Sequence, residues 1–127
     1  MASLQLFAML IGKHPMALSK KNIISSKKEI DMVFKNGRTV KSSFLFIRFV
    51  KNFKEYSRFA FIFPAKHISL AVNRNRAKRL FSEEAKHASS LFKGGYDIIV
   101  GVAKKVSKDQ IKNLAVELRT ILSKISR

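Results

Sequence analysis

The chain has 127 residues, 46% of them hydrophobic, with 26 Lys and Arg against 8 Asp and Glu, for a formal net charge of +18. That hydrophobic share excludes wholesale disorder, and the length fits one domain with a real core. With no cysteine, disulfides, thiol nucleophiles and Cys-based zinc sites are excluded, while the charge points to a polyanionic partner, nucleic acid first and an anionic membrane surface second.

Residues 1–19 read as a loosely ordered extension ahead of a single domain over 20–127. An apolar stretch at 4–11 precedes Gly12-Lys13-His14-Pro15, and nothing before Lys13 is charged. That is not the pattern of a secretory signal, and the stretch is far short of the roughly 18–20 residues that span a bilayer. Ser26-Lys27-Lys28-Glu29 has the form of a capping box. Ile30, Val33 and Phe34 follow at helical spacing, so a first helix is expected over 26–36, stopped by Asn36-Gly37 because glycine tolerates the left-handed conformation.

Residues 44–50 are aromatic and β-branched, hence a strand. One face carries Phe44, Phe46, Arg48 and Val50, and Arg48 implies that this face reaches solvent or a ligand. Residues 38–43 extend that strand or add a short one. A polar turn over 51–57 leads to a strand at 58–63, with Phe59, Phe61 and Phe63 on one face, ended by Pro64. Residues 71–92 form an amphipathic helix whose apolar side includes Ala77, Phe81, Ala85, Leu91 and Phe92. Gly94-Gly95 breaks it, and 96–103 is a buried strand. A second capping box, Ser107-Lys108-Asp109-Gln110, opens a long final helix with Ile111, Leu114, Leu118 and Leu122 on its apolar stripe. The order α-β-β-β-α-β-α fits an α+β sandwich: one antiparallel-rich sheet with helices packed on it.

No catalytic constellation appears. His14, His67 and His87 lack metal-ligand spacing, and Glu83 and Glu84 point about 100° apart on a helix. There is no glycine-rich phosphate loop and no cradle of carboxylates for two metals. The expectation is no catalytic residue, no metal site and no cofactor held by the protein itself. The informative segment runs from Lys66 to Leu80. It places Arg74, Arg76, Lys78 and Arg79 near the start of a helix, with Asn75 among them. Guanidinium forks suit phosphate oxygens, and a helix N-terminus adds N–H donors and partial positive charge. Like charges at i, i+4 destabilise a helix by about 0.2–0.5 kcal/mol each, so the cluster favours a polyphosphate ligand over an idle charged face.

Arg74-Asn75-Arg76-x-Lys78-Arg79-Leu80 resembles the RNR signature of the protein component of bacterial ribonuclease P. The segment Ile30-x-x-Val33-Phe34-Lys35-x-Gly37, Arg58 before its apolar strand, and Gly95-Tyr96-Asp97-Ile98-Ile99-Val100 resemble other stretches of that family, in order, over about 22–125. The resemblance implies an α/β sandwich with a four-stranded sheet and a left-handed βαβ crossover that carries the RNR helix. It implies a cytoplasmic, non-catalytic subunit of a ribonucleoprotein endoribonuclease that removes 5′ leaders from precursor tRNA. The chemistry would belong to the RNA subunit and its Mg²⁺. Two surfaces follow. Lys66, Arg74, Asn75, Arg76, Lys78 and Arg79 would bind the catalytic RNA. Ile30, Phe34, Phe44, Phe46 and Arg48 would line a cleft for the leader of precursor tRNA, where rings stack on bases. Ile30 and Arg48 stand where the family often has aromatics. No obligate protein partner and no membrane are expected. The rival readings are a general or ribosome-associated RNA-binding protein, a basic peripheral membrane protein anchored by residues 4–11, and a stand-alone nuclease.

Overall fold

The computed structural model describes residues 18–92 and 94–126. The apolar stretch at 4–11, and with it the membrane anchor of the rival reading, lies outside the described residues. Helix α1 spans Lys27–Asn36. The Ser26 hydroxyl accepts the Glu29 N–H at 3.4 Å, while the Glu29 carboxylate turns to Arg58, 2.8 Å away. Gly37 ends the helix for a reason other than the expected one. Its backbone is extended, at φ −80° and ψ 161°, and a Cβ there would sit 2.5 Å from the Val33 carbonyl oxygen. The position requires close approach, not left-handed freedom.

Four strands follow: β1 Arg38–Lys41, β2 Leu45–Lys51, β3 Arg58–Ile62 and β4 Tyr96–Val102. Residues 38–43 thus add a short exposed strand at the sheet edge. The sheet order is β1-β2-β4-β3. β1 with β2 and β2 with β4 are antiparallel, and β3 with β4 is parallel. A parallel neighbour needs a crossover, and helix α2, Ala71–Ser89, supplies it. The final helix α3, Ile111–Ile125, follows a 3₁₀ turn at Lys108–Gln110. Gln110 Oε1 accepts the Ser107 N–H at 2.9 Å there, completing the second capping box.

The period-2 alternation of the inner strands splits the core in two. Leu45 and Ile47, Phe59, Phe61 and Phe63, and Ile98, Val100 and Val102 meet α2 and α3 on one face. Leu18 is buried in the same core. Ala60, Ile62 and Ile99 meet Ile30 and Val33 of α1 on the other face. Phe81 of α2 sits edge-on against Phe61 and Phe63, at centroid distances of 5.9 and 5.1 Å. Burying a ring of that size contributes about 1.5–3 kcal/mol. The helix expected over 71–92 stops at Ser89. Phe92 turns inward against Tyr96, centroids 5.5 Å apart, whereas Leu91, expected on the apolar side, is 58% exposed. Pairing Phe92 with the start of β4 requires the chain to leave the helix first.

Charged contacts fix the layers. The Arg58 guanidinium donates to both Asp97 oxygens at 2.8 and 2.6 Å, across the parallel β3–β4 pair. With Glu29 added, it joins α1 to the sheet, and both carboxylates hold the Arg58 pKa above its usual value. Arg119 of α3 grips Glu84 of α2 bidentately at 2.8 and 2.7 Å, which holds the Glu84 carboxyl below its usual range. Glu117 of α3 accepts from the Ser42 hydroxyl and from the N–H groups of Phe44 and Leu45, the last two at 3.0 and 3.1 Å. That carboxylate closes the β1–β2 turn against α3.

Candidate nucleic-acid interface

Helix α2 begins at Ala71, with Leu70 as its N-cap, no side-chain cap and no acid in the first turn. Its first N–H groups therefore face outward without a competing carboxylate. The turn before it is held by the Pro64 carbonyl, which accepts the N–H groups of His67 and Ile68 at 2.9 and 3.0 Å. Burial beside Lys66 pushes the His67 imidazole pKa down.

The six residues of the basic cluster do not share one role. Lys66 and Arg79 are exposed, and Asn75 and Arg76 are half-buried. Arg74 bends back: one of its amino groups donates to the Ile68 and Ser69 carbonyls at 2.8 and 3.0 Å. It braces the turn that carries Lys66. Lys78 is only 9% exposed. Burial pushes its ammonium pKa down, and Arg74 adds to the effect. Its place at i, i+4 from Arg74 looks surface-like on a helical wheel, but α2 is packed against the sheet and α3, and the Lys78 side chain turns into that packing. The open basic surface is thus Lys66, Asn75, Arg76 and Arg79, with Arg74 behind it.

The second set is distributed differently from a single cleft. Phe34 is half-buried against the α1 side of the sheet, and the Arg48 guanidinium lies 5.9 Å over its ring. Phe46 is half-buried two residues along the same strand face, with its ring over Gly101, where any Cβ would collide with it. Phe44 instead packs against the main core on the opposite face, because it precedes β2 and escapes the strand's alternation. Ile30 is 4% exposed, inside the α1 core. The structure therefore puts Phe34, Phe46 and Arg48 on the α1 side of the sheet, with Ile30 buried in the core that Phe34 packs on, and leaves Phe44 on the opposite face.

Arg48 does not extend to solvent, as its phase on β2 suggested. Its guanidinium donates to the carbonyls of Phe34 and Gly37, the latter at 3.0 Å, and to the Thr39 hydroxyl at 2.7 Å. The cation satisfies the open C-terminal carbonyls of α1. The partners of Glu29, Asp97 and Glu117 were not legible locally, because each carboxylate meets groups from distant parts of the chain; the capping-box form marks Glu29 but not its pairing with Arg58. Among the described residues, no three His, Asp or Glu side chains cluster to hold a metal ion, and no helix is long and apolar enough to cross a membrane.

Comparison with known proteins places this arrangement. A sequence model of the ribonuclease P family matches residues 18–126. The ribonuclease P protein component of Fusobacterium nucleatum is 37% identical over 93 residues, 73% of this chain and 82% of that protein. That of Syntrophomonas wolfei is 30% identical over 107 residues, 84% of this chain and 89% of that protein. The RNase P protein from Thermotoga maritima has the same fold, with a TM-score of 0.69 at 22% identity, covering 80% of this chain and 96% of that one. The RNase P protein from Staphylococcus aureus superposes with a TM-score of 0.61 at 27% identity, covering 84% and 93%. On the sequence match, its coverage and the shared mixed sheet, the chain belongs to the family of ribonuclease P protein components.

Proposed function

We propose that this chain is the RNA-gripping, non-catalytic subunit of a cytoplasmic ribonuclease P, which removes the 5′ leader of precursor tRNA. Lys66, Asn75, Arg76 and Arg79 bind the backbone of the RNA subunit, and Arg74 and Lys78 support them from within. Phe34 and Phe46 offer half-buried rings to the single-stranded leader, with Arg48 holding Phe34 in place. Bond cleavage and its Mg²⁺ belong to the RNA. Protein cations near the RNA phosphates reduce the divalent ion needed to fold it and to bind substrate.

The observation that carries this reading is the uncapped, acid-free start of α2, which displays its basic cluster beside the braced turn, in a chain of net charge +18. A general RNA-binding role would share the charge without the family match. The test is RNA-subunit binding by the Arg76→Ala, Arg79→Ala double variant across a salt series. The expected result is weaker binding with a log–log salt slope flatter by about 0.9 for each phosphate no longer neutralised. An unaltered slope would remove these arginines from the interface.

A further inference from the structure

Phe53, in the loop between β2 and β3, is 95% exposed and has φ +60°. Among the described residues it is the only non-glycine with positive φ. A bulky side chain rarely adopts that conformation, and such outliers persist where the surroundings impose them. Here they do. The Asn52 N–H donates to the Gly95 carbonyl at 3.1 Å, and the Gly95 N–H donates to the Lys54 carbonyl at 2.8 Å. The Asn52 side chain accepts the Lys54 N–H at 2.9 Å and donates to the Tyr56 carbonyl and Asp97 at 3.2 and 2.9 Å. A Cβ on Gly95 would collide with Asn52 and with the carbonyls of Lys54 and Tyr56. The loop is therefore seated on β4 on both sides of Phe53, and its ring stands in solvent.

The surroundings are basic and aromatic. Lys51 and Lys54 lie on either side of Phe53 in the chain, Glu55 is the one acid in 51–57, and the Lys21 ammonium lies 5.3 Å over the Tyr56 ring. β3 runs from Arg58, at this loop, toward Ile62 and the turn into α2. The loop thus sits at the opposite end of the sheet from the α2 cluster, and also from Phe46, which pairs with Gly101 near the far end of β4.

We propose that Phe53 is a second RNA contact, stacking on an unpaired base of the RNA subunit while Lys51, Lys54 and Lys21 meet the adjoining phosphates. This rests on the reading above. An exposed ring in a lysine-bearing loop suits a nucleotide, because stacking accepts any base and the charge complements its phosphate. A protein partner would want a wider apolar patch. A large folded RNA can reach both ends of the sheet at once, and Phe46, the leader-side ring on β2, lies toward the other end.

The chain has no tryptophan, so Phe53→Trp provides a single tryptophan at the tip, excited apart from the tyrosines at longer wavelength. Its emission should be quenched on adding RNA subunit in the absence of precursor tRNA. Phe53→Gly, which suits the positive φ, should leave thermal stability unchanged or higher and weaken RNA-subunit affinity about tenfold, the effect of removing one stacked ring. Quenching that needs precursor tRNA would assign the ring to the leader and overturn the proposal. Absence of quenching, or wild-type affinity in Phe53→Gly, would overturn it as well. If wild-type protein binds the RNA subunit and the Arg76, Arg79 variant does not, failure at Phe53 leaves the main reading standing. If wild-type protein fails to bind, that reading itself fails.

Discussion

At the scale of single residues, the arginines divide into those that hold the protein and those left for a partner. Arg48 belongs to the first group: its two terminal amino groups donate to Phe34, Gly37 and Thr39. Hydrogen bonds from the terminal amino groups of a charged guanidinium contribute about 1.5–3 kcal/mol each, less where solvent competes, while the buried Arg48 Nε has no partner among the described residues. Arg48→Met keeps much of the aliphatic stem and removes these bonds, so it should lower the unfolding free energy by about 2–3 kcal/mol in urea titration. An unchanged midpoint would show that α1 does not need this clamp. Arg76 and Arg79 have no such internal duty, and their replacement should leave stability nearly untouched. The chemical type of each residue was legible in the sequence: a guanidinium on β2 and several more on α2. Its employment was not, because Arg48 bonds to carbonyls that come within reach only when α1 folds across the sheet. Lys78 illustrates the same limit, since a helical wheel gives angle but not what packs there.

At the scale of elements, periodicity and caps located the three α-helices of the described residues and the inner strands within a few residues. The errors lie where tertiary contacts outweigh local preference. α2 ends early so that Phe92 can meet Tyr96, and Gly37 serves close packing against α1 instead of a left-handed turn. The start of α2 departs from good helix design in the other direction. Leu70 is an exposed N-cap with extended backbone angles and no side-chain acceptor, where Asp would stabilise the helix by about 1 kcal/mol. An acid there would also sit beside the cations proposed to bind phosphate. Leu70→Asp should therefore raise the melting temperature and weaken RNA-subunit binding, more at low salt than at high salt. A more stable variant with full affinity would separate the helix start from the interface.

At the scale of the whole molecule, the order of elements and the sandwich class follow from the sequence, whereas the strand order β1-β2-β4-β3 does not. Placing β4 between β2 and β3 depends on contacts between distant segments, including the Arg58–Asp97 pair across the parallel edge. That placement puts α2 and α3 on one face and α1 on the other, so the basic helix and the Phe34–Phe46 side are presented separately. A chain of this charge repels itself, and partner phosphates relieve that repulsion. Cleavage of precursor tRNA, measured across an Mg²⁺ titration with RNA subunit alone, protein alone and both together, tests the division of labour most directly. The account predicts no cleavage by RNA-free protein, and cleavage by the pair at lower Mg²⁺ than by the RNA subunit alone. Cutting by the purified protein, or an Mg²⁺ dependence that the protein does not shift, would contradict it.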